Sequence, residues 1–182
     1  MKKILVCNQK MFLNYEEAYQ LKLKLDCLDK TKLIIAPSYV NLCVFKDYIL
    51  CAQDVFHEDT GAYTGKISAY QLSNLNVKYC LVGHSELRNE DNDSIINKKI
   101  NILLKNNITP ILCIGESKEV KELNELFKIL EYQINSALLN INLEDKIIYI
   151  AYEPGYLIGC NNALNKEKIE IIFSFIKNYL MI

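Results

Sequence analysis

Three polar side chains in this sequence stand where apolar runs end, and together they could move a proton. Lys10 follows the first such run, His84 closes the fourth and Glu153 closes the sixth. A carboxylate next to a buried strand is unfavourable unless it has partners or a chemical task, so Glu153 is a candidate base. A base, an electrophile and a cation on separate strands suit proton abstraction beside a carbonyl, with stabilisation of the oxyanion that develops.

Each of these side chains, taken alone, also fits a structural role. A lysine after a strand is usually solvated, and His84, which precedes Ser85 and Glu86, could instead cap a helix. Arg88 is the one arginine among 21 basic residues. Its use favours a need for the two-pronged geometry that binds a carboxylate or a phosphate.

Short runs rich in valine, isoleucine and leucine alternate with helical patterns along the chain. Because the runs are continuous, they predict strands buried on both faces of a parallel sheet. The predicted strands are Ile4–Asn8, Leu33–Pro37, Ile49–Asp54, Tyr79–His84, Thr109–Gly115 and Ile147–Glu153. Asn14 and Glu17 predict a capping box at the first helix. Strand followed by helix, repeated six times, predicts an α/β fold in a single domain over residues 1–182.

Glycine and proline are scarce, at six and three residues, and they collect at one rim of the predicted sheet. Gly83, Gly115, Pro37 and Pro154 fall at the carboxyl ends of strands, and the other glycines fall in the loops that follow. In parallel α/β folds this rim is where binding sites are built. The pattern favours an enzyme or a protein that binds a small ligand.

Composition argues against several other classes of protein. The 182 residues are 51% hydrophobic and 24% charged, with 21 basic against 22 acidic residues and no basic stripe for nucleic acid. The apolar runs are too short to span a bilayer, and the amino-terminal segment lacks the pattern of a secretory signal, so we expect a cytoplasmic protein. The seven cysteines have no paired spacing, and we expect small core residues rather than zinc ligands or disulfides.

Six segments, in order along the chain, resemble the triosephosphate isomerase family. They are Cys7-Asn-Gln-Lys-Met11, Ala52-Gln-Asp54, Thr60-Gly-Ala-Tyr-Thr-Gly65, Val82-Gly-His-Ser-Glu-Leu-Arg88, Thr109-Pro-Ile-Leu-Cys-Ile-Gly-Glu116 and Ala151-Tyr-Glu-Pro154. The resemblance implies a (β/α)8 TIM-barrel fold and an isomerase that acts on a small phosphorylated triose through an enediolate. It implies no metal and no organic cofactor.

The same resemblance implies a role for each matched residue of the site. Glu153 is expected to be the base that moves a proton between two carbons of the substrate. His84, as a neutral imidazole, is expected to polarise the carbonyl. Lys10 and Asn8 are expected to bind the substrate and to offset the charge of the enediolate.

Two loops receive expected functions from the resemblance. The segment Pro154–Ala163 is expected to form a lid that excludes water, with Gly159 offering its backbone N–H to the phosphate. The Thr60–Lys66 loop is expected to insert into a second copy of the chain, so that the protein is a homodimer. Neither nucleic acid nor a membrane is an expected partner.

The length of the sequence raises two hypotheses. A complete barrel of this kind needs about 250 residues and eight strands, whereas this sequence predicts about six βα units, and hence an incomplete barrel. In the first hypothesis the chain is an isomerase of this family, given as a shortened sequence. In the second it is a non-catalytic remnant or fragment that needs a partner chain to complete the barrel. The presence of both His84 and Glu153 favours the first.

Overall fold

The computed structural model describes residues 4–160 and 163–180, where strands and helices alternate. The strands are β1 (Leu5–Asn8), β2 (Leu33–Ala36), β3 (Ile49–Ala52), β4 (Tyr79–Val82), β5 (Thr109–Ile114) and β6 (Tyr149–Tyr152). The α-helices are α1 (Tyr15–Leu25), α2 (Ala69–Asn74), α3 (Asp93–Lys105), α4 (Leu123–Leu138) and α5 (Lys166–Tyr179). Short 3-10 turns lie at Lys30–Lys32, Tyr39–Phe45, Ser85–Leu87 and Gly155–Leu157.

The strands form one sheet in the order β1-β2-β3-β4-β5-β6. Pairing is parallel from β1 to β4, with Asn8 opposite Ala36 in the first pair. Since each strand lies beside the one that precedes it in the chain, each connection must cross back over the sheet. This arrangement confirms the predicted α/β class and the strand order of a TIM-barrel type fold.

The strands at the two ends of this order are less buried than the sequence predicts. Leu5 in β1 is 58% exposed and Tyr149 in β6 is 44% exposed, whereas every residue of β2 is buried. Among the described strands, β1 and β6 each have one neighbour rather than two, which leaves one side of each open. The prediction of strands buried on both faces is therefore wrong for β1 and β6.

The connection from β2 to β3 also differs from the prediction. The expected helix is replaced there by the 3-10 turn Tyr39–Phe45. The two strands are separated by twelve residues, 37–48, which is at the lower limit for a crossover between parallel strands. Leu42 and Phe45 of this turn are nevertheless buried, so the connection still adds to the core.

Helices α1 and α2 each begin with a capping box. At α1 the side chain of Asn14 accepts a hydrogen bond from the Glu17 backbone N–H at 3.0 Å, and the Glu17 carboxylate accepts one from the Asn14 N–H at 2.9 Å. This confirms the predicted capping box. A second box at α2, formed by Ser68 and Gln71, was not predicted from the sequence.

The described residues divide into two compact units, each assembled from several segments. Unit 1 lies within Met1–Val82, Lys98–Ile111 and Asn142–Tyr149, and unit 2 within Gly83–Asn97, Leu112–Ile141 and Ile150–Ile182. In unit 1 the core includes Ile35, Phe45, Leu72 and Leu103, all of them buried. In unit 2 helices α4 and α5 pack through Phe127 and Phe175, whose rings stack with centroids 3.9 Å apart.

Candidate active site

His84 follows β4 and is held by the backbone of the turn that it caps. Gly83 precedes it with a φ of +72°, a conformation that favours glycine. His84 is 5% exposed, and its Nδ1 accepts a hydrogen bond from the Glu86 backbone N–H at 3.2 Å. Because Nδ1 accepts, the proton of a neutral ring lies on Nε2, which is then a hydrogen-bond donor.

Glu153 follows β6 and points its carboxylate at that donor. Its Oε1 lies 3.4 Å from His84 Nε2. Its Oε2 is buried and has no hydrogen-bond partner among the described residues. A buried polar atom without a partner is uncommon and calls for an explanation. An acceptor that is left free in this way is available to take a proton from a ligand.

The backbone around Glu153 is bound on both sides by the end of β5. The Glu153 N–H donates to the Ile114 carbonyl at 2.8 Å, and the Gly155 N–H donates to the Glu116 carbonyl at 2.9 Å. Gly115 lies between these two contacts, and a Cβ added to it would lie 1.8 Å from the Glu153 carbonyl oxygen. Only glycine therefore permits this close approach of the two backbones.

Glu116, the second carboxylate of unit 2 near this point, is already bound. Its two oxygens each lie 3.0 Å from the Tyr152 hydroxyl, and the side chain is 2% exposed. Burial, and then the charge and hydrogen bond of Glu116, raise the pKa of Tyr152, so its hydroxyl keeps its proton and donates a hydrogen bond to Glu116. Of the two carboxylates, Glu153 is the one with a free oxygen.

Arg88 is used differently from the prediction. Its Nε donates to the Gly83 carbonyl and one terminal nitrogen donates to the Cys113 carbonyl, both at 3.0 Å. The other terminal nitrogen lies 3.3 Å from Asp93. The guanidinium thus ties strand ends together through backbone carbonyls and makes one contact, rather than a two-pronged pair, with a carboxylate.

In unit 1, Asn8 and Lys10 form a tight turn after β1. The Lys10 backbone N–H donates to Asn8 Oδ1 at 3.0 Å. Lys10 has a φ of +50°, a left-handed conformation that is uncommon for a residue with a side chain. Such a conformation costs about 1–3 kcal/mol and persists where surrounding contacts hold it.

Gln53, which follows β3, supplies one of those contacts. Its Nε2 donates to the carbonyls of Lys10 and Ala36, at 2.9 Å each. The next residue, Asp54, is bound by the Lys99 ammonium at 2.7 and 2.9 Å. No role was predicted for Gln53. Its position directly after a buried strand, within the matched segment Ala52-Gln-Asp54, is the signal that could have identified it as a site residue.

His84 and Glu153, which the sequence predicts in one site, both lie in unit 2 with Nε2 and Oε1 3.4 Å apart. Asn8 and Lys10 are neighbours in unit 1. Gly159 has a φ of +79°, and a Cβ there would meet nothing within 4 Å. The predicted lid, 154–163, includes residues 161 and 162, which lie outside the described residues.

The predicted interface loop Thr60–Lys66 lies in unit 1 and is braced by aromatic rings. Tyr63 packs on Phe56 with ring centroids 4.7 Å apart, and the Lys66 ammonium lies 5.7 Å from the Phe56 centroid. The loop lines a cavity of about 290 Å³ together with neighbouring residues of the same unit. This arrangement gives the loop a defined shape.

Each of the seven cysteines is a free thiol. Within residues 4–160 and 163–180, no three histidine, cysteine, aspartate or glutamate side chains gather as metal ligands would. Over the same ranges, none of the helices has the length and apolar character needed to cross a bilayer.

Comparison with known proteins places these residues in a family context. The sequence model described as triosephosphate isomerase matches residues 3–181. The protein of that name from Thermodesulfovibrio yellowstonii is 36% identical over 98% of this chain and 77% of its own length. The one from Wigglesworthia glossinidia brevipalpis is 40% identical over 86% and 65%, and the one from Blochmanniella floridana is 37% identical over 82% and 62%. The alignments thus span 62–77% of the length of these three relatives.

Proposed function

The chain belongs to the triosephosphate isomerase family, and from that premise we propose that it interconverts dihydroxyacetone phosphate and D-glyceraldehyde 3-phosphate. The observation that carries the proposal is the pair formed by Glu153 and His84, with Oε1 and Nε2 3.4 Å apart. A free carboxylate oxygen beside a neutral imidazole donor is the combination that an enolisation requires. The reaction is a step of glycolysis and gluconeogenesis.

The proposed reaction moves one proton between two carbons and one between their oxygens, and it leaves the oxidation state of the substrate as a whole unchanged. Glu153 removes a proton from the carbon next to the carbonyl, and the electron pair of that C–H bond forms the enediolate. The Nε2–H of His84 stabilises or protonates the carbonyl oxygen as its negative charge develops. The proton of the adjacent hydroxyl passes through His84 to the former carbonyl oxygen, and Glu153 returns its proton to the former carbonyl carbon, which gives the isomeric product with the new carbonyl on the other carbon.

Substrate binding and closure are assigned by the family resemblance. We propose that Asn8 and Lys10 bind the triose phosphate and that the lysine charge offsets the enediolate. Gly159 would donate its N–H to the phosphate when the segment 154–163 closes. Closure excludes water, which strengthens the electrostatic interactions inside the site and protects the enediolate from side reactions.

Replacement of the base tests the proposal directly. In Glu153→Gln we expect kcat to fall by about 10³-fold or more, because the amide cannot accept the proton. The melting temperature should stay close to that of the unchanged chain, because the substitution preserves shape and Oε2 has no bond to lose. The measurement is the coupled isomerase assay together with thermal unfolding.

Glu144→Gln is the matched control, because it makes the same chemical change at an exposed surface position. It should leave kcat unchanged. A Glu153→Gln protein as active as the unchanged chain would remove Glu153 from the mechanism. The alternative of a non-catalytic remnant is not favoured by the family match over residues 3–181.

We also propose a homodimer formed through the Thr60–Lys66 loop. Two apolar side chains directly after Lys10, Met11 and Phe12, are 93% and 81% exposed. Adjacent apolar side chains that are almost fully exposed mark an interaction surface. The cavity of about 290 Å³ beside the loop, with Phe56 and Tyr63 in its lining, could receive an apolar side chain from a second copy.

A cytoplasmic location is proposed on the basis of the cysteines. Seven free thiols, three of them buried, fit a compartment that keeps cysteine reduced. Burial raises the pKa of Cys51 to about 12, so that this thiol is protonated and unreactive at neutral pH. Fractionation of cells from the source organism, followed by immunodetection, would test the location.

A further inference from the structure

Gln133, a neutral side chain on α4, makes an unusual pair of contacts with the end of β5. Its Oε1 accepts a hydrogen bond from the Gly115 backbone N–H at 2.8 Å, and its Nε2 donates to the Gly115 carbonyl at 3.0 Å. One carboxamide thus satisfies both backbone polar groups of one residue. In a sheet, the backbone N–H and C=O groups of a residue are normally hydrogen-bonded to neighbouring strands.

Gly115, the residue directly after β5, lies against the backbone of Glu153, the proposed base. A Cβ at this position would lie 1.8 Å from the Glu153 carbonyl oxygen. The contacts from Glu153 N–H to Ile114 and from Gly155 N–H to Glu116 lie on either side of it, at 2.8 and 2.9 Å. Any displacement of Gly115 is therefore passed to the backbone that carries Glu153.

The Glu153 carboxylate has little else to hold it in place. Its Oε2 is buried without a hydrogen-bond partner in the described part of the chain, and its Oε1 faces His84 at 3.4 Å, longer than a good hydrogen bond. The position of the carboxylate consequently depends on its backbone. A shift of about 1 Å in a reacting group can lower a rate about 100-fold.

From these contacts we infer that Gln133 is a positioning residue for Glu153, acting through Gly115. The inference rests on the proposed function, in which Glu153 is the base. Gln133 touches neither Glu153 nor substrate, so its effect is on geometry rather than on proton transfer itself. Its place one helical turn from the buried Leu130 and Ala137 directs the carboxamide inward from α4.

The test compares Gln133→Met with the loss of a second amide, Asn97 on α3, which also binds backbone carbonyls. Methionine keeps the length of the side chain but removes both hydrogen bonds to Gly115. Asn97→Leu is the control, because the Asn97 amide also binds backbone of the α4 region, the carbonyls of Ala137 and Leu139, at 2.9 and 3.0 Å. These contacts lie at the carboxyl end of α4, about one turn beyond Gln133, and do not involve Gly115.

We expect Gln133→Met to lower kcat about 10- to 100-fold with KM within about twofold. Asn97→Leu should lower the melting temperature by a similar amount and leave kcat within about twofold. If Gln133→Met does not fold, Gln133→Glu carries the same test, since it retains an acceptor for the Gly115 N–H and loses the donor. Equal losses of kcat in the Gln133 and Asn97 variants, or no loss at Gln133, would overturn the inference.

Amide hydrogen exchange separates this inference from the proposed function, because it needs no activity. In Gln133→Met the backbone amides of Gly115 and Glu153 should exchange faster, and in Asn97→Leu they should not. Unchanged protection of the Glu153 amide in the Gln133 variant would overturn the positioning role even if the chain is an active isomerase. Loss of protection in a chain without isomerase activity would instead contradict the proposed function alone.

Discussion

Gln53 and Gln133 each use one carboxamide to hold backbone beside a residue of the proposed site. Gln53 binds the carbonyls of Lys10 and Ala36 in unit 1, and Gln133 binds both polar groups of Gly115 in unit 2. Strand ends have backbone groups that the sheet does not pair. At the residue scale, therefore, neutral amides hold the backbone next to the charged residues of the proposed site.

Asp54, the residue after Gln53, forms an ion pair with the buried ammonium of Lys99. The Lys99 side chain is 5% exposed, and its ammonium lies 2.7 Å from Asp54, whose side chain is 29% exposed. Removing one member of such a pair leaves a desolvated charge without its partner. The pair thus anchors the end of β3, from which Gln53 reaches Lys10.

We expect Lys99→Met to reduce the free energy of unfolding by about 3 kcal/mol, because Asp54 loses its ammonium partner. Lys99→Met with Asp54→Asn should recover part of this loss, since the Asp54 charge is then absent as well. Urea denaturation of the two variants checks the prediction. Equal stability of Lys99→Met and the unchanged chain would mean that solvent or another cation takes over the role of Lys99.

The residues of the site were predictable to the extent that charge marks them. Glu153 and His84 stand out because a charged or titratable group ends an apolar run. Gln133 carries no such mark, and its contacts with Gly115 depend on how closely α4 approaches β5 in three dimensions. Arg88 stands out in the sequence as the one arginine. Its hydrogen bonds to the Gly83 and Cys113 carbonyls could not be predicted, because they depend on how two strands lie next to each other.

At the scale of elements, α1 is fastened at its carboxyl end by one carboxylate. Asp26 binds the Tyr48 hydroxyl at 2.8 Å and the ammonium groups of Lys30 and Lys22 at 2.8 and 3.1 Å. Hydrogen bonds from Lys30, Tyr48 and Lys22 hold the pKa of Asp26 well below its usual range. The cluster ties the helix to the residues that lead into β3.

The stabilisation from this cluster should depend on pH. Because folding lowers the pKa of Asp26, its contribution is complete above about pH 4 and is lost as the pH falls through the folded value. Asp26→Asn should therefore melt at a lower temperature than the unchanged chain at pH 7, and the difference should shrink as the pH falls below about 4. Melting curves at several pH values, with the exposed Glu144→Gln as control, provide the measurement. A difference that stays constant down to pH 2 would show that Asp26 acts through shape alone.

Element positions followed from the sequence where local physics decides them. The six strand cores and the Asn14 capping box depend on neighbours within a few residues, and they were predicted to within about two residues. The 3-10 turn Tyr39–Phe45 and the exposed β1 and β6 were not, because they depend on the length of a crossover and on which strands lie next to each other. Those are tertiary properties that no short stretch of sequence encodes.

At the scale of the whole molecule, assembly should depend on the exposed apolar pair after Lys10. We expect Met11→Glu to convert a dimer to a monomer, because a charge would be buried without a partner at the proposed interface. Tyr132→Glu is the control, since Tyr132 is also exposed, at 62%, but lies on α4. Sedimentation velocity of both variants distinguishes the two sites. A dimer that survives Met11→Glu would exclude this surface, and an equal loss in Tyr132→Glu would point to a less specific association.

The strand order also sets the sequence of events while the chain is being made. Each strand after β1 pairs with the strand synthesised just before it. The sheet can therefore form progressively from β1, because no pairing needs a strand from much later in the sequence. His84 emerges long before Glu153, and it has no base to face until β6 has been added. A nascent chain can therefore bury part of its core before the proposed proton-transfer pair exists, because that pair is complete only once β6 has been added.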